Sequence, residues 1–286
     1  MAVVTSYLDM ELSEQEYKLF SALIYKFSGI NLGSNKKELL KARLMKRVKY
    51  YKFDSYRQYY DYLLSGTAKD EFVELLNVVS TNVTSFFREK NHFDYLNKYV
   101  FPAIVQNKKK IGSNKIRIWS AASSTGEEPY TILICLLEYF KNILAWDVKL
   151  LATDISTKVL LSAQQGVYGY EKVKGIPLQL QSKYFDQGYN GRQKILKAKN
   201  ILRDLVVFRR LNLMRRSFPF KRKFDIIFCR NVMIYFDKKT QNELVKKFYH
   251  YLENDGYLFI GHSESLLGAG VDFKSVTNAV FKKQGC

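Results

Sequence analysis

The sequence contains few of the residues that build metal centres and disulfide frameworks. Cysteine occurs three times, at Cys135, Cys229 and Cys286, and histidine occurs three times, without a Cys-x-x-Cys or a paired histidine spacing. An odd number of distant cysteines, two of them inside apolar segments, predicts reduced thiols in a cytosolic protein. The lack of closely spaced ligands predicts that there is no metal site.

Long apolar runs are also missing. No stretch approaches the roughly 18 apolar residues of a membrane helix, and residues 1–5 lack the basic start and the cleavage site of a signal peptide. We therefore expect a cytoplasmic protein without membrane insertion. Hydrophobic residues make up 47% of the 286, which is enough for a large core and excludes global disorder.

Acidic residues are scarce compared with basic ones. Lysine and arginine number 46 against 27 aspartates and glutamates, a net charge of +19. Two blocks supply the excess: residues 36–57 hold nine basic and two acidic residues, and residues 166–223 hold fifteen and three. Such clustering predicts a surface that attracts polyanions, either nucleic acid, acidic membranes or an acidic protein face.

Residues 116–130 combine the end of a strand, a turn of small residues and the start of a helix. Apolar residues alternate before the turn, and an apolar run after it predicts a helix from Glu127 to about Leu144. Thr125 and Glu128 have the spacing of a capping box. Strand, tight turn and helix start form the arrangement by which doubly wound α/β proteins bring backbone close to a nucleotide-like ligand.

Two acids at this helix start argue against a dinucleotide. The pattern G-x-G-x-x-G is missing, because Gly126 stands alone, and Glu127 and Glu128 occupy the turn where a pyrophosphate would bind. A carboxylate pair suits a cationic or hydroxyl-bearing ligand, although acids here also complement the helix dipole without a ligand. The sequence leaves open which of the two faces a ligand.

Strands and helices continue to alternate after this helix. A strand over 148–154 ends on Asp154, where an acid of a doubly wound fold accepts hydrogen bonds from a ribose diol; a turn or N-cap role fits the position as well. The apolar run 224–229 predicts a central parallel strand buried on both faces. Since ligands bind at the carboxyl ends of such strands, Arg230, Asn231 and Tyr235 are expected at the site.

Residues 166–203 interrupt the alternation. They are rich in turns and dense in Lys, Arg and Tyr, with short runs of alternating polarity. This pattern predicts a small antiparallel β subdomain inserted in the α/β domain. The edge of such a sheet is able to accept a peptide strand.

Residues 1–66 predict a small helical bundle whose function is docking. Apolar side chains at helical spacing face inward from residues 40 to 48, and a basic stripe lies opposite them. The stripe consists of Arg43, Lys46 and Arg47. We interpret residues 67–81 as a linker.

A polar and aromatic stretch follows the linker. Asn82, Thr84 and Arg88 are spaced to face one ligand, although the same pattern fits a capped helix start.

Several stretches, in this order and spacing, resemble the chemotaxis receptor methyltransferases of bacteria, the CheR family. They are 81–88 (TNVTSFFR), 120–130 (SAASSTGEEPY), 152–154 (ATD), 212–213 (NL), 228–237 (FCRNVMIYFD) and 261–264 (GHSE). Each is weak alone, but together they are specific and cover about residues 80–265. The helical N-terminal region and the basic insertion also fit the layout of that family.

The resemblance implies a fold and a reaction. The fold is a Rossmann-like α/β methyltransferase domain over 82–286, with the inserted antiparallel β subdomain at about 166–203 and an all-α N-terminal domain over 1–66. The methyl donor is S-adenosylmethionine, and the acceptors are glutamate side chains of methyl-accepting receptors. The products are glutamate γ-methyl esters and S-adenosylhomocysteine.

The resemblance also implies roles for single residues. Arg88 and Tyr235 would orient the acceptor carboxylate, and Glu128 is favoured over Glu127 as the acid that contacts the cofactor. The implied cofactor-binding residues are Asn82, Thr84, Arg88, Glu128, Asp154, Asn212, Leu213, Arg230 and Asn231.

The expected partners are the receptors, to which a cytoplasmic monomer would be recruited in membrane-bound arrays. The helical domain, with Arg43, Lys46 and Arg47, would lie against receptor helices, and the β subdomain would hold a receptor's C-terminal peptide. The high Lys and Arg density of this insertion departs from the family and leaves that tethering open.

Three other functions fit the sequence less well. A nucleic-acid methyltransferase explains the charge, but the Asp/Asn-Pro-Pro-aromatic motif of amino-methylating enzymes is missing after Arg230. The missing glycine pattern disfavours a nucleotide-dependent oxidoreductase. A non-catalytic S-adenosylmethionine-binding signalling module would keep the pocket and lose Arg88 or Tyr235, and both are present.

Overall fold

The computed structural model of the chain describes residues 10–66, 68–80 and 82–285. They form a helical region, a seven-stranded sheet flanked by helices and a separate three-stranded sheet. No helix in this part of the chain is long and apolar enough to cross a membrane. Thr67 and Thr81 of the predicted linker, and Cys286 of the predicted thiols, lie outside the described residues.

Four helices pack into the N-terminal core. They are α1 (Glu14–Ser28), α2 (Lys37–Tyr51), α3 (Tyr56–Leu64) and α4 (Lys69–Val79). A capping box of Ser13 and Glu16 starts α1, and Gly29 in the left-handed conformation ends it. Helix α4 occupies most of the predicted linker and buries Leu75 and Val79 in the helical core, so the helical region continues to residue 79.

The main sheet is doubly wound, as predicted. Its strands are β1 (Lys115–Ala121), β2 (Asp147–Asp154), β6 (Val206–Arg210), β7 (Phe224–Cys229), β8 (Leu252–Ile260), β9 (Phe273–Thr277) and β10 (Val280–Lys283). Their order is β6-β2-β1-β7-β8-β10-β9, in which the first five are parallel and β10 is antiparallel to both of its neighbours. Strand β7 is central and buried along its whole length, as its apolar run predicts.

Helices cover the two faces of this sheet unequally. One face packs against α5 (Lys90–Tyr95), α6 (Phe101–Lys110), α7 (Glu127–Tyr139) and α8 (Thr157–Gln165), with a π-helical turn at Leu96–Val100 between α5 and α6. In the described part of the chain, the only helix on the other face is α12 (Lys238–Tyr251).

The helix after the small-residue turn is shorter than predicted. It ends at Tyr139 and not near Leu144, because Phe140 leaves the helical conformation and packs its ring against Phe101 and Trp146.

The predicted insertion forms a small antiparallel sheet. Its strands are β3 (Val167–Gly169), β4 (Phe185–Asn190) and β5 (Gln193–Ala198), in the order β3-β5-β4. The short helices α9 (Tyr170–Val173), α10 (Leu178–Tyr184) and α11 (Asn200–Arg203) complete it. Tyr168, Phe185 and Leu196 join the main core, so the insertion is packed onto the α/β domain.

Candidate active site

The carboxyl ends of β1, β2, β6 and β7 open into one cleft of about 1200 Å³, counted to its open mouth. Strands β1 and β7 are neighbours at the point where the strand order reverses, which is where doubly wound sheets bind ligands. The helical region lines the opposite wall. Every residue predicted for cofactor or acceptor lies on this cleft: Asn82, Thr84, Arg88, Glu128, Asp154, Asn212, Leu213, Arg230, Asn231 and Tyr235.

Arg230 connects the walls of the cleft. It follows β7 and is only 6% exposed. Its Nη1 donates to Glu128 Oε2 at 3.1 Å, and its Nη2 donates to Glu89 Oε2 at 3.0 Å and to the carbonyl of Arg88. The buried Nε has no hydrogen-bond partner in the described part of the chain. The side chain therefore ties two segments to its own, and its Nε donor stays free.

The two acids at the start of α7 point to different places. Glu128 lines the cleft, where its Oε1 accepts from the Ser120 hydroxyl at 2.8 Å. Glu127 is fully buried and accepts from Lys172 at 2.7 Å and from the Thr125 hydroxyl at 2.6 Å. Of the two acids, Glu128 is the one on the cleft, while Glu127 joins the α/β domain to the insertion.

The predicted capping box of Thr125 and Glu128 is therefore wrong. The N-cap is Gly126, at φ 96°, and no side chain caps the helix. Thr125 is engaged by Glu127, and Glu128 is held by Ser120 and Arg230. Burial raises the pKa of Glu128, and this effect outweighs the opposing charge of Arg230.

Asp154 closes the turn after β1. Its Oδ2 accepts from the Ser124 backbone N–H and its Oδ1 from that of Ser156, both at 2.9 Å. Asp154 thus has the turn role that the sequence allowed. It also lines the cleft, as the alternative role of binding a ribose diol requires. Burial raises its pKa more than these hydrogen bonds lower it.

Residues 82–88 form part of the rim of the cleft. Asn82 accepts through its carbonyl from the Ser124 hydroxyl at 3.1 Å, and Arg88 Nη1 donates to the Val83 carbonyl at 2.9 Å. Phe87 has φ 54°. These contacts curve the segment over the turn that follows β1.

Glu264 positions the loop that carries Asn231 and Tyr235. Its carboxylate accepts backbone N–H groups from five residues: Gly261, Asn231, Val232, Met233 and Ile234. Sequence reasoning used the segment 261–264 only as part of the family resemblance and missed this role. The only signal in the sequence that singles out Glu264 is its place in the segment that resembles the family. Hydrogen bonds to backbone N–H groups leave no pattern of residue types.

The helical region builds one wall, which sequence reasoning also missed. Ile30, Lys36 and Arg43 line the cleft, and the Lys36 ammonium lies 5.6 Å from the centre of the Tyr235 ring. Asn212 holds this wall in place because its amide donates to the carbonyl of Phe27.

The predicted basic stripe on α2 is divided in the structure. Arg47 forms a two-pronged ion pair with Glu71, whose side chain is 1% exposed, and Arg43 donates to the Val79 carbonyl and lines the cleft. Of the three residues only Lys46 is exposed. The three side chains therefore do not form one free docking surface, because α4 packs against that side of α2.

Two histidines that are far apart in sequence meet beside the cleft. Ligand atoms of Glu89, His92 and His262 lie within 4.8 Å of one another. Burial lowers the pKa of His92 to about 4, so its ring is neutral at neutral pH. Burial alone would raise the pKa of Glu89, but hydrogen bonds from Asn231 and Arg230 outweigh it and lower the pKa to about 2. The guanidinium on the same carboxylate disfavours a metal cation there.

Comparisons with known proteins decide the family. The CheR methyltransferase SAM-binding domain matches residues 82–281, and the CheR methyltransferase all-alpha domain matches residues 15–80. The chain belongs to the CheR methyltransferase family. Its residues 82–281 are the S-adenosylmethionine-binding domain, and the recognition from sequence motifs is confirmed.

Curated relatives agree over nearly the whole chain. The chemotaxis protein methyltransferase of Borreliella burgdorferi is 42% identical over 96% of each chain. That of Escherichia coli is 36% identical over 90% of this chain and 86% of its own. Among solved structures, a complex of DhpI with S-adenosylhomocysteine covers 66% of this chain and 71% of its own at 11% identity, with a TM-score of 0.33.

The residues present fit S-adenosylmethionine. The cofactor carries two cationic groups, a carboxylate and a ribose diol. The cleft offers the carboxylates of Glu128 and Asp154, the guanidinium of Arg88 and the unpartnered buried Nε of Arg230. Ala122 and Ser124, both at positive φ, keep this turn compact where backbone meets the ligand.

Proposed function

We propose that the protein methylates glutamate side chains of methyl-accepting chemotaxis receptors and produces glutamate γ-methyl esters. The observation that carries the proposal is the common position of Arg88 and Tyr235 on the cleft that holds Glu128 and Asp154. One cleft thereby combines acids suited to the cofactor with two donors suited to a carboxylate acceptor. The names of the curated relatives support a role in chemotaxis.

Asp154 and Glu128 would bind the cofactor at its two ends. Asp154 accepts the ribose hydroxyls, since a carboxylate accepts two hydrogen bonds from a vicinal diol. Glu128 faces the ammonium of the methionine part, and Arg88 or Arg230 its carboxylate. Asn82, Thr84, Asn212, Leu213 and Asn231 shape the walls around it. The bound cofactor supplies an electrophilic methyl group on a sulfonium.

Arg88 and Tyr235 would orient the acceptor. A glutamate carboxylate is already ionised at neutral pH, so the site needs no general base to activate it. Hydrogen bonds from a guanidinium and a phenol hold a carboxylate in one orientation without covalent participation. Alignment of donor and acceptor then contributes much of the barrier reduction.

Transfer of a methyl group from a sulfonium to a carboxylate neutralises two charges, so a partly desolvated cleft favours it. Ile30, Leu32 and Leu39 of the helical wall give the mouth of the cleft an apolar lining. The protein would act as a cytoplasmic monomer at membrane-bound receptor arrays. A receptor peptide is a candidate ligand for either edge strand of the small sheet, β3 or β4.

Methyl-labelled S-adenosylmethionine and receptor-containing membranes test the proposal. We expect label in the receptors and release of volatile labelled methanol in mild alkali, because carboxyl methyl esters hydrolyse under these conditions. Incorporated label that is stable to alkali would mean N-methylation and would overturn the proposal. Membranes already esterified at their acceptor glutamates serve as the control.

A further inference from the structure

One half of one sheet face bears no helix among residues 10–66, 68–80 and 82–285. Parallel strands normally carry packed elements on both faces. Here α12 covers β1, β7 and β8, but the same face of β2 and β6 bears no helix in the described part of the chain. Val207 is 41% exposed on it, Leu151 is half-buried, and Lys149 is exposed.

The bare half-face results from an unusual crossover. Strands β6 and β7 are parallel members of one sheet, and such a connection usually contains a helix. Residues 211–223, which make it here, contain no helix. They are anchored by Phe218 and Phe220, whose ring centres lie 5.2 and 4.9 Å from that of Trp119 on β1. The connection therefore leaves the position on β2 and β6 where a crossover helix would pack without a helix of the described residues.

The residues around the bare half-face are basic. We name the following set the basic face: Lys149, Arg209, Arg215, Arg216, Lys221, Arg222 and Lys223. All seven are exposed, and none forms an ion pair with an acid of residues 10–66, 68–80 or 82–285. Uncompensated charge around a strip of apolar sheet selects an acidic partner with an apolar side.

We infer that the basic face binds an acidic amphipathic helix of the protein acceptor. Parallel sheets are normally covered by helices. A helix of the acceptor therefore suits this face, from which the crossover helix is missing. An acceptor that presents glutamates for methylation carries the complementary charge. The inference rests on the proposed function, and it assigns docking to a surface separate from the cleft and from α2.

The test uses a soluble cytoplasmic receptor fragment, so that no lipid is present. We expect the charge reversal R216E/K221E/R222E to raise the KM for the fragment about tenfold while the Kd for S-adenosylmethionine stays unchanged. The pair R216K/R222K keeps the charge and is expected to behave as wild type. The reversal K98E/K109E/K110E makes the same change of charge on the opposite face and is expected to leave the KM unchanged.

The outcomes separate the two proposals. Base-labile methylation of the fragment by the wild-type protein supports the function, whatever the variants do. An unchanged KM in the folded R216E/K221E/R222E variant, with wild-type activity established, would overturn the docking inference alone. A defect that appears only with receptors in anionic membranes, and not with the fragment, would also overturn it, because the occupant would then be lipid.

Discussion

Two arginines of α2 and the basic residues of the connection 214–223 have opposite fates. On α2, Arg47 is paired with the buried Glu71, and Arg43 donates to a backbone carbonyl at the edge of the cleft. In the connection 214–223, five basic side chains are exposed and none has an ion-pair partner among the described residues. Both groups look alike in the sequence, yet the two arginines of α2 hold parts of the fold together and the connection faces outward.

The difference shows that charge density does not identify a docking surface. Glu71 lies 24 residues after Arg47 in the chain, and helix packing alone brings the two together. A basic residue is available to a partner protein only if the fold leaves it without an acid. By this criterion the connection is a better docking surface than Arg43 and Arg47 of α2.

Removal of Arg47 tests the internal side of the comparison. We expect Arg47→Ala to lower the free energy of unfolding by about 3–5 kcal/mol, because it leaves the Glu71 carboxylate buried without its counter-charge. The measurement is denaturant unfolding. The control Lys46→Ala, on the same helix, should change it by less than about 0.5 kcal/mol. If both variants changed the free energy of unfolding by the same small amount, Arg47 would not stabilise the buried Glu71.

Glu127 and Glu128 show the same contrast among acidic residues: one serves the fold and the other faces the cleft. We expect Glu128→Gln to weaken S-adenosylmethionine binding by about tenfold to a hundredfold, since it removes a charged contact in the cleft. Glu127→Gln should leave the Kd within about threefold and lower stability, because it breaks the ion pair between the buried Glu127 carboxylate and the partly exposed Lys172. Calorimetric titration measures the Kd, and the reverse ranking would reassign the cofactor-binding acid.

Acidification separates the cleft acids from both basic regions, because lysine and arginine stay charged throughout. The pKa of Glu128 and that of Asp154 are raised by burial, so both carboxyls take up protons at a higher pH than exposed ones. Protonation removes the charge that binds the cationic cofactor. We therefore expect the Kd to rise severalfold as the pH falls from 7.5 towards 5. A Kd that is constant over this range would contradict the pKa assignment.

The salt dependence of the KM is the smallest effect that we expect, and it tests all exposed charges together. Exposed charges are screened strongly and a buried ion pair weakly. Between about 0.05 and 0.3 M salt we expect the KM for the soluble acceptor fragment to rise a few-fold, while the free energy of unfolding stays nearly constant. The rise should shrink in the R216E/K221E/R222E variant. An equal rise in that variant would place the salt-sensitive contact elsewhere.

Sequence patterns were sufficient for the architecture and for the cleft. The buried run 224–229 predicted the central strand, and Arg230 and Asn231 follow it at the cleft because parallel strands end at a common edge. Alternation was also enough to place the antiparallel insertion, since its turns separate short strands.

What the sequence could not show depends on long-range packing. Glu264 acts through backbone N–H groups, which every residue has, so no residue type signals its role. Glu127 and Glu128 differ only in which face of α7 each occupies relative to Lys172 and Arg230. Strand β9 is short and mostly exposed, and it lacks the apolar alternation that marks a strand.

The most direct test of the central claim is to identify the methylated residue in the acceptor. The receptor fragment is incubated with the protein and S-adenosylmethionine and is then digested and mapped by tandem mass spectrometry. We predict an added methyl group on glutamate side chains that disappears after mild alkali. An added methyl group on lysine, arginine or histidine that survives alkali would contradict the account.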